Sequence, residues 1–205
     1  MSKPIRAFGV VLLAAGASTR MGSCKLLLPW GKRTILTHIL AQWKSVEVAQ
    51  IAPVLAPTNT FLQSAMREAG FSQEDWIINP APEREMFSSL QEASRWKGWL
   101  PQLTHWIIAL GDQPIIKTST LSLLMETARK NPDRICQPLF KDQGAHPIIL
   151  PACVFHDLSA SVHSDLRAFI REREALRLRL PVEDAGVSED LDTPEDYNRW
   201  KPDFL

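Results

Sequence analysis

The chain is poor in cysteine, carries no net charge and lacks any long apolar run. Its three cysteines, Cys24, Cys136 and Cys153, are odd in number and widely spaced. That argues against a disulfide framework or a zinc site and for a reducing cytosol, so a cytoplasmic protein is expected. Lys plus Arg equals Asp plus Glu, 23 each. No global field therefore draws nucleic acid or anionic lipid, and an anionic ligand has to be held by local groups. The longest apolar run near the N-terminus, Phe8 to Ala15, is too short to cross a bilayer or to form the apolar segment of a secretory leader. There is no internal repeat, no low-complexity tract and no Pro/Gly/Ser linker. A single domain over residues 1–205 is expected, large enough for one substantial core.

What is present alternates. Ala7 to Ala15 is a continuous apolar run, the mark of a strand buried on both faces. A Gly/Ser/Thr loop follows, then a helical pattern from about Thr34 to Lys44 and a β-branched run from Val46 to Leu55. Thr58 is a candidate N-cap for a helix ending near Gly70. Trp76 to Ile78 reads as a strand and Met86 to Trp96 as a helix. Trp106 to Leu110 is a buried strand stopped by Gly111-Asp112-Gln113-Pro114. Thr118 to Lys130 is helical. Ile135 to Phe140 and Pro147 to Leu150 are two strands around the turn Lys141–Gly144. Ser164 to Glu174 is a basic helix, Leu176 to Val182 a last strand, and Thr193-Pro194 opens a final helix. This order predicts an α/β sandwich with a mostly parallel sheet and one antiparallel strand. Ligands of such sheets bind beyond the carboxyl ends of the strands, which places the loops after Ala15, Leu110 and Leu150 on one rim.

The loop Leu13-Ala14-Ala15-Gly16-Ala17-Ser18-Thr19-Arg20-Met21-Gly22-Ser23-Cys24-Lys25 has the chemistry of an anion site. Small residues around Gly16 and Gly22 let backbone N–H groups approach a phosphate. Arg20 can fork onto two oxygens and Lys25 can act as a point charge. Neither a Walker ending nor a dinucleotide GxGxxG is present. Asp112 follows a buried strand and Asp192 precedes the last helix. Two carboxylates on a rim facing a triphosphate suit magnesium, which takes oxygen ligands. A turn former at Asp112 and a helix cap at Asp192 are the alternative readings. Cys24 beside Lys25 is a bystander, since direct phosphoryl transfer needs no thiol.

The stretch Leu13–Lys25, with Leu26-Leu27-Leu28-Pro29-Trp30-Gly31 after it, resembles the LAAGxSxRMGxxK signature of the MobA-like nucleotidyltransferases, in the branch containing molybdenum cofactor cytidylyltransferase. The similarity runs in motif order from Val10 to about Tyr197. It implies a Rossmann-like three-layer α/β/α fold and nucleotide contacts from Leu13, Ala14, Ala15, Gly16, Arg20, Gly22 and Lys25. It also implies Mg2+ on Asp112 and Asp192, with Asp190 as a helper, and a catalytic set of Arg20, Lys25 and Asp112. Asn79-Pro80 and Met86–Leu90 resemble the family's NPxxxxGMxxSL segment, which brings Ser88 and Ser89 to the nucleotide. Glu85 stands where that pattern has glycine. A helix N-terminus with two serines is the alternative. Gly144-Ala145-His146-Pro147 resembles the family's GHP turn with an added alanine, and implies acceptor contact by His146. A hairpin turn with a partly exposed histidine, able to titrate near neutrality, is the other reading. Arg167, Arg171, Arg173, Arg177 and Arg179 interleave with Glu172 and Glu174, as a solvated helix face does; the alternative is that Arg167 or Arg171 reaches the acceptor's phosphate.

The resemblance implies transfer of a nucleoside monophosphate to the phosphate of molybdopterin, with release of pyrophosphate. Ala14-Ala15-Gly16 goes with CTP in this family. The expected partners are CTP, a molybdopterin-type acceptor and a client molybdoenzyme, without nucleic acid or membrane. Two other functions share these features: a nucleotidyltransferase using GTP or a sugar or polyol phosphate, and a non-catalytic molybdenum cofactor carrier.

Overall fold

The protein is described here from a computed structural model, over residues 7–16 and 24–202. The first strand, β1 (Ala7–Leu13), ends at the glycine loop. A 3-10 turn at Lys25–Leu27 and a hairpin of β2 (Pro29–Trp30) with β3 (Arg33–Thr34) lead into α1 (Ile35–Ser45). Thr34 caps that helix in a reciprocal capping box with Thr37. Its buried residues, Ile35, Leu36, Ile39, Leu40 and Trp43, recur at the spacing of one helix face.

Next come β4 (Gln50–Leu55), α2 (Thr60–Glu68), β5 (Ile77–Ile78), α3 (Glu85–Arg95) and β6 (Leu103–Leu110). The cap of α2 is Asn59, not Thr58: the Asn59 side chain accepts from Leu62 N at 3.1 Å. Beyond Asp112 lie α4 (Thr118–Lys130), β7 (Ile135–Phe140), β8 (Gln143–Gly144), β9 (Ile148–Pro151) and α5 (Ala152–Asp157). The chain closes with α6 (Leu166–Glu172), β10 (Arg177–Pro181) and α7 (Pro194–Trp200). The short α5 was not expected, since it follows β9 without an intervening turn signal.

The main sheet has the order β10-β7-β9-β6-β1-β4-β5. The pairs β1–β4, β1–β6, β4–β5 and β7–β10 are parallel, and β9 lies antiparallel between β6 and β7. The predicted mostly parallel sheet with one antiparallel strand is therefore present. β8 adds to it by pairing antiparallel with β7, and the β2–β3 hairpin forms a separate two-stranded sheet.

The central strands are buried on both faces, as their unbroken apolar sequences require. Val10 and Leu12 of β1, with Ile107 and Ala109 of β6, face the layer containing Leu36, Leu62, Leu124 and Met125. Val11, Trp106 and Ile108 face the layer containing Phe87, Leu90, Phe155 and Phe169. Helices thus cover both sides, and each fully buried Leu or Ile contributes roughly 1.5–3 kcal/mol. Trp106 stacks on Phe155 with ring centroids 4.5 Å apart. Among the described residues, no helix is long and apolar enough to cross a membrane.

The antiparallel sense of β9 corrects one expectation. Ile148 of β9 lies opposite Ile108 near the end of β6, and Pro151 lies opposite His105 near its start. The residues before β9, Gly144 to Pro147, therefore share the rim with the ends of β1 and β6, and those after Leu150 lie at the other edge.

Candidate active site

Two tight approaches build the rim. Gly111 N donates to Leu13 O at 2.9 Å, so the chain leaves β6 pressed against the end of β1. A Cβ on Gly111 would stand 2.8 Å from that carbonyl oxygen, closer than real contacts allow. Glycine is the only residue that fits there without backbone movement. Similarly, a Cβ on Gly186 would stand 2.7 Å from Ile115 O. This second contact packs the turn Ala185–Ser188 against the chain leaving Asp112.

These approaches bring three distant segments together. Lys25 Nζ donates to Asp112 Oδ2 at 2.5 Å and to Asp192 Oδ1 at 3.0 Å. The three side chains are 15%, 21% and 45% exposed, respectively, so the cluster opens to solvent on the Asp192 side. Burial of Lys25 works against its charge. The pull of Asp112 and then Asp192 outweighs it, and the ammonium's pKa is raised above the ordinary lysine value. Asp190 sits beside them and accepts from Gln113 Nε2 at 2.8 Å. Partial desolvation, followed by the neighbouring Asp112 carboxylate, raises the Asp190 pKa; the Gln113 hydrogen bond opposes this.

Backbone bonds fix the arrangement. Leu191 N donates to Asp112 O at 3.0 Å, and Gln113 Nε2 also reaches Val187 O at 3.2 Å. Asp184 is a residue the sequence reading missed. It is buried, and its Oδ2 accepts from Lys117 N at 2.8 Å and from Thr120 Oγ1 at 2.7 Å. Its Oδ1 accepts from Gly186 N at 3.0 Å. One carboxylate thereby ties the start of α4 to the segment that carries Asp190 and Asp192. An Asp two residues before a Gly is a local turn signal, but its long-range partners leave none.

The other predicted site residues divide. Leu13, Ala14, Ala15 and Gly16 lie at the end of β1, where Ala14 N donates to Val54 O at 3.0 Å. Gly16 is exposed, and a Cβ there would meet no atom within 4 Å. Arg20 and Gly22 lie outside the described residues. Ser88 and Ser89 are buried at the start of α3. Asn79 Nδ2 donates to both, at 2.8 and 2.9 Å, and Ser88 Oγ donates to Glu85 O at 2.8 Å. In this arrangement they hold the loop that joins β5 to α3.

His146 precedes a cis Pro147 at the same rim. Its backbone N donates to Val187 O at 3.3 Å, which puts it next to the acid cluster. Its Nε2 is buried and has no hydrogen-bond partner among the described residues. Burial pushes its pKa down to about 4, so it stays neutral where the sequence suggested titration near neutrality. Cys24 is a free thiol whose Sγ lies 3.7 Å from Asn59 Nδ2.

Among the described residues no three metal-ligating side chains gather into a cage. The site offers a carboxylate pair already converged on one cation. A pair suits a divalent ion that completes its shell with water and substrate phosphates.

Comparisons with known proteins agree with this architecture. The chain is 24% identical over 196 residues to molybdenum cofactor cytidylyltransferase of Escherichia coli (strain K12), covering 93% of this chain and 94% of that protein. Its fold is similar to that of Rv0371c from Mycobacterium tuberculosis H37Rv, solved in complex with manganese, at a TM-score of 0.67 and 23% identity over 96% of this chain and 98% of that one. It is also similar to CMP:2-keto-3-deoxy-manno-octonic acid synthetase, solved with CTP, at a TM-score of 0.74 and 12% identity over 95% and 97% of the two chains. The profile of the MobA-like NTP transferase domain matches residues 10–178, and this chain belongs to that family of nucleotidyltransferases.

Proposed function

We propose that the protein transfers CMP from CTP to the phosphate of molybdopterin carrying molybdenum, releasing pyrophosphate and yielding a cytosine dinucleotide cofactor. The observation that carries this reading is the Lys25–Asp112–Asp192 cluster at the carboxyl end of β1 and β6. The similarity to the cytidylyltransferase supports the acceptor, and Ala14-Ala15-Gly16 supports cytosine as the base.

Asp112 and Asp192 fit Mg2+. Two carboxylates that reach one ammonium also reach one metal ion, and both are hard oxygen donors. When bound, the ion would supply positive charge to the triphosphate. Lys25 and Arg20 are the cations that would face the departing pyrophosphate. Backbone N–H groups of the loop that follows β1, from Ala15 and Gly16 on to Gly22, take phosphate oxygens. The acceptor phosphate arrives ionised, so no side chain has to remove a proton from it. His146, neutral and adjacent to the acid cluster, borders the acceptor.

The test is a thermal-shift panel of the four ribonucleoside triphosphates with and without Mg2+, followed by pyrophosphate release with molybdopterin. CTP with Mg2+ is expected to raise the melting temperature more than the other three do. A GTP shift equal to or larger than that of CTP overturns the base assignment. Turnover with a sugar or polyol phosphate and none with molybdopterin overturns the acceptor.

A further inference from the structure

A cleft of about 660 Å³ opens between α6, the β7–β9 segment and the start of α3. Met86, Leu139, Ile148, Leu166 and Ile170 give it an apolar wall. Four arginines, Arg167, Arg171, Arg177 and Arg179, also line it, and they are not equivalent. Arg177 Nε donates to Gln137 Oε1 at 2.8 Å, and its NH1 pairs with Glu174 at 3.1 Å. Arg179 pairs with the same Glu174 at 2.7 Å.

Arg167 and Arg171 are different. Both are exposed, and neither forms an ion pair among the described residues. They stand four residues apart on α6, on one helix face. Asp165 is the acid next to Arg167, and its carboxylate is committed to capping α6, accepting from Ala168 N at 2.7 Å. The cleft also contains His146, whose buried Nε2 has no hydrogen-bond partner among the described residues. Through the Val187 carbonyl, which accepts from His146 N and from Gln113 Nε2, this end of the cleft joins the Asp112–Asp190 cluster.

Each feature points to a ligand. A solvated helix face pairs its charges, as Lys130 and Glu126 do at 2.7 Å on α4. Arg167 has only the capping carboxylate of Asp165 beside it, and with Arg171 it borders an apolar wall, an arrangement suited to a molecule that is both anionic and flat. We infer that this cleft is the acceptor subsite, and that Arg167 and Arg171 clamp the anionic group of a phosphate-bearing flat heterocycle while His146 Nε2 meets its ring edge. The inference rests on the nucleotidyl transfer proposed above and adds the residues that select its acceptor.

The test titrates metal-free molybdopterin, followed by its own fluorescence, into the full-length protein and its variants R167Q, R171Q, R171K and K130Q. A thermal shift with CTP and Mg2+ is read on each. R167Q and R171Q should each weaken molybdopterin binding at least tenfold, R171K should recover part of the loss, and K130Q should match the wild type. The CTP shift should be unchanged in all four, which also shows that they fold. Wild-type affinity in both R167Q and R171Q overturns the subsite. Arginine-dependent binding of molybdopterin without any CTP shift supports the subsite and overturns the nucleotide reading. A CTP shift with no molybdopterin bound by the wild type does the reverse.

Discussion

The backbone N–H of Leu191 donates to the carbonyl of Asp112 at 3.0 Å, so the two aspartates of the cluster ride on segments joined by a main-chain bond. The spacing of the carboxylates is thus a property of the backbone and survives the loss of either side chain. Asp112→Asn should lower pyrophosphate release by roughly 10²-fold or more, because the cation site loses half its charge. The fold should stay intact, with stability changed by about 1 kcal/mol or less, since Lys25 keeps Asp192 and the cluster is partly open to water. Circular dichroism melts beside a pyrophosphate assay check both halves. Wild-type turnover in the variant removes Asp112 from the mechanism.

Lys25 competes for the position that a divalent cation would take. Lys25→Met removes the ammonium that donates to both Asp112 and Asp192. Without nucleotide, Mn2+ should bind this variant about tenfold more tightly than the wild type, the equivalent of about 1.4 kcal/mol. CTP should bind it more weakly, because a charge facing the triphosphate is gone. Calorimetric titration of each ligand separates the two effects. Mn2+ affinity that does not rise means that lysine and metal use different places.

Asp184 holds three donors in the interior: two backbone N–H groups and the Thr120 hydroxyl. Asp184→Ala leaves all three without their acceptor, at a cost of about 2–4 kcal/mol. Thr120→Val removes only one donor and should cost about 1 kcal/mol. Urea melts measure both. The further expectation for Asp184→Ala is a higher metal requirement, because the turn before Asp190 loses its tie to α4. A loss in Asp184→Ala no larger than that in Thr120→Val would show that the tie carries no load.

Glu85 adopts φ 65° and ψ −173°, a region almost reserved for glycine. The surrounding bonds hold it there: Ser88 Oγ donates to Glu85 O and to Ala81 O, and Asn79 grips both serines. The backbone keeps a glycine shape although the side chain has changed. Glu85→Gly should therefore stabilise the fold by about 1 kcal/mol after the entropy of glycine in the unfolded chain is deducted, raising the melting temperature by roughly 2–4 °C. Glu85→Ala should give no such gain. Equal shifts in the two variants would locate the effect in the carboxylate.

His146 has a pKa lowered from 6.5 to about 4 by burial. The unfolded chain therefore binds a proton at His146 that the folded chain refuses. Stability from this residue is complete above pH 6.5 and falls as the pH drops toward 4, by roughly 3 kcal/mol across that window. His146→Gln removes the titration and should flatten that part of the curve of folding free energy against pH. A curve unchanged by the substitution would assign the acid limb to other groups.

Much of this was legible from the residues. The Thr118–Lys130 helix and the Thr193 cap have strong local signals, and both stand where those signals put them. The meeting of Lys25 with Asp112 was not legible as an ion pair. The sequence suggested a lysine aimed at phosphate, and only the fold brings two carboxylates, 87 and 167 residues away, within its reach. The antiparallel strand was anticipated from the turn at Lys141–Gly144, but its consequence was not: running against β6, it carries the chain after Leu150 to the edge opposite the ends of β1 and β6. A lack of local signal hid α5 and the partners of Asp184. Ser88 and Ser89 kept the spacing of a ligand loop, and only the position of Asn79 showed which way they point.

Because β9 runs against its neighbours, the chain passes the site's rim just before Ile148 and the opposite edge after Pro151. Residues added between Gly144 and Pro147 would fall beside the Lys25–Asp112–Asp192 cluster, whereas residues added beyond β9 would fall away from it. Changes of loop length are therefore felt as altered chemistry on one side of this strand and as surface variation on the other.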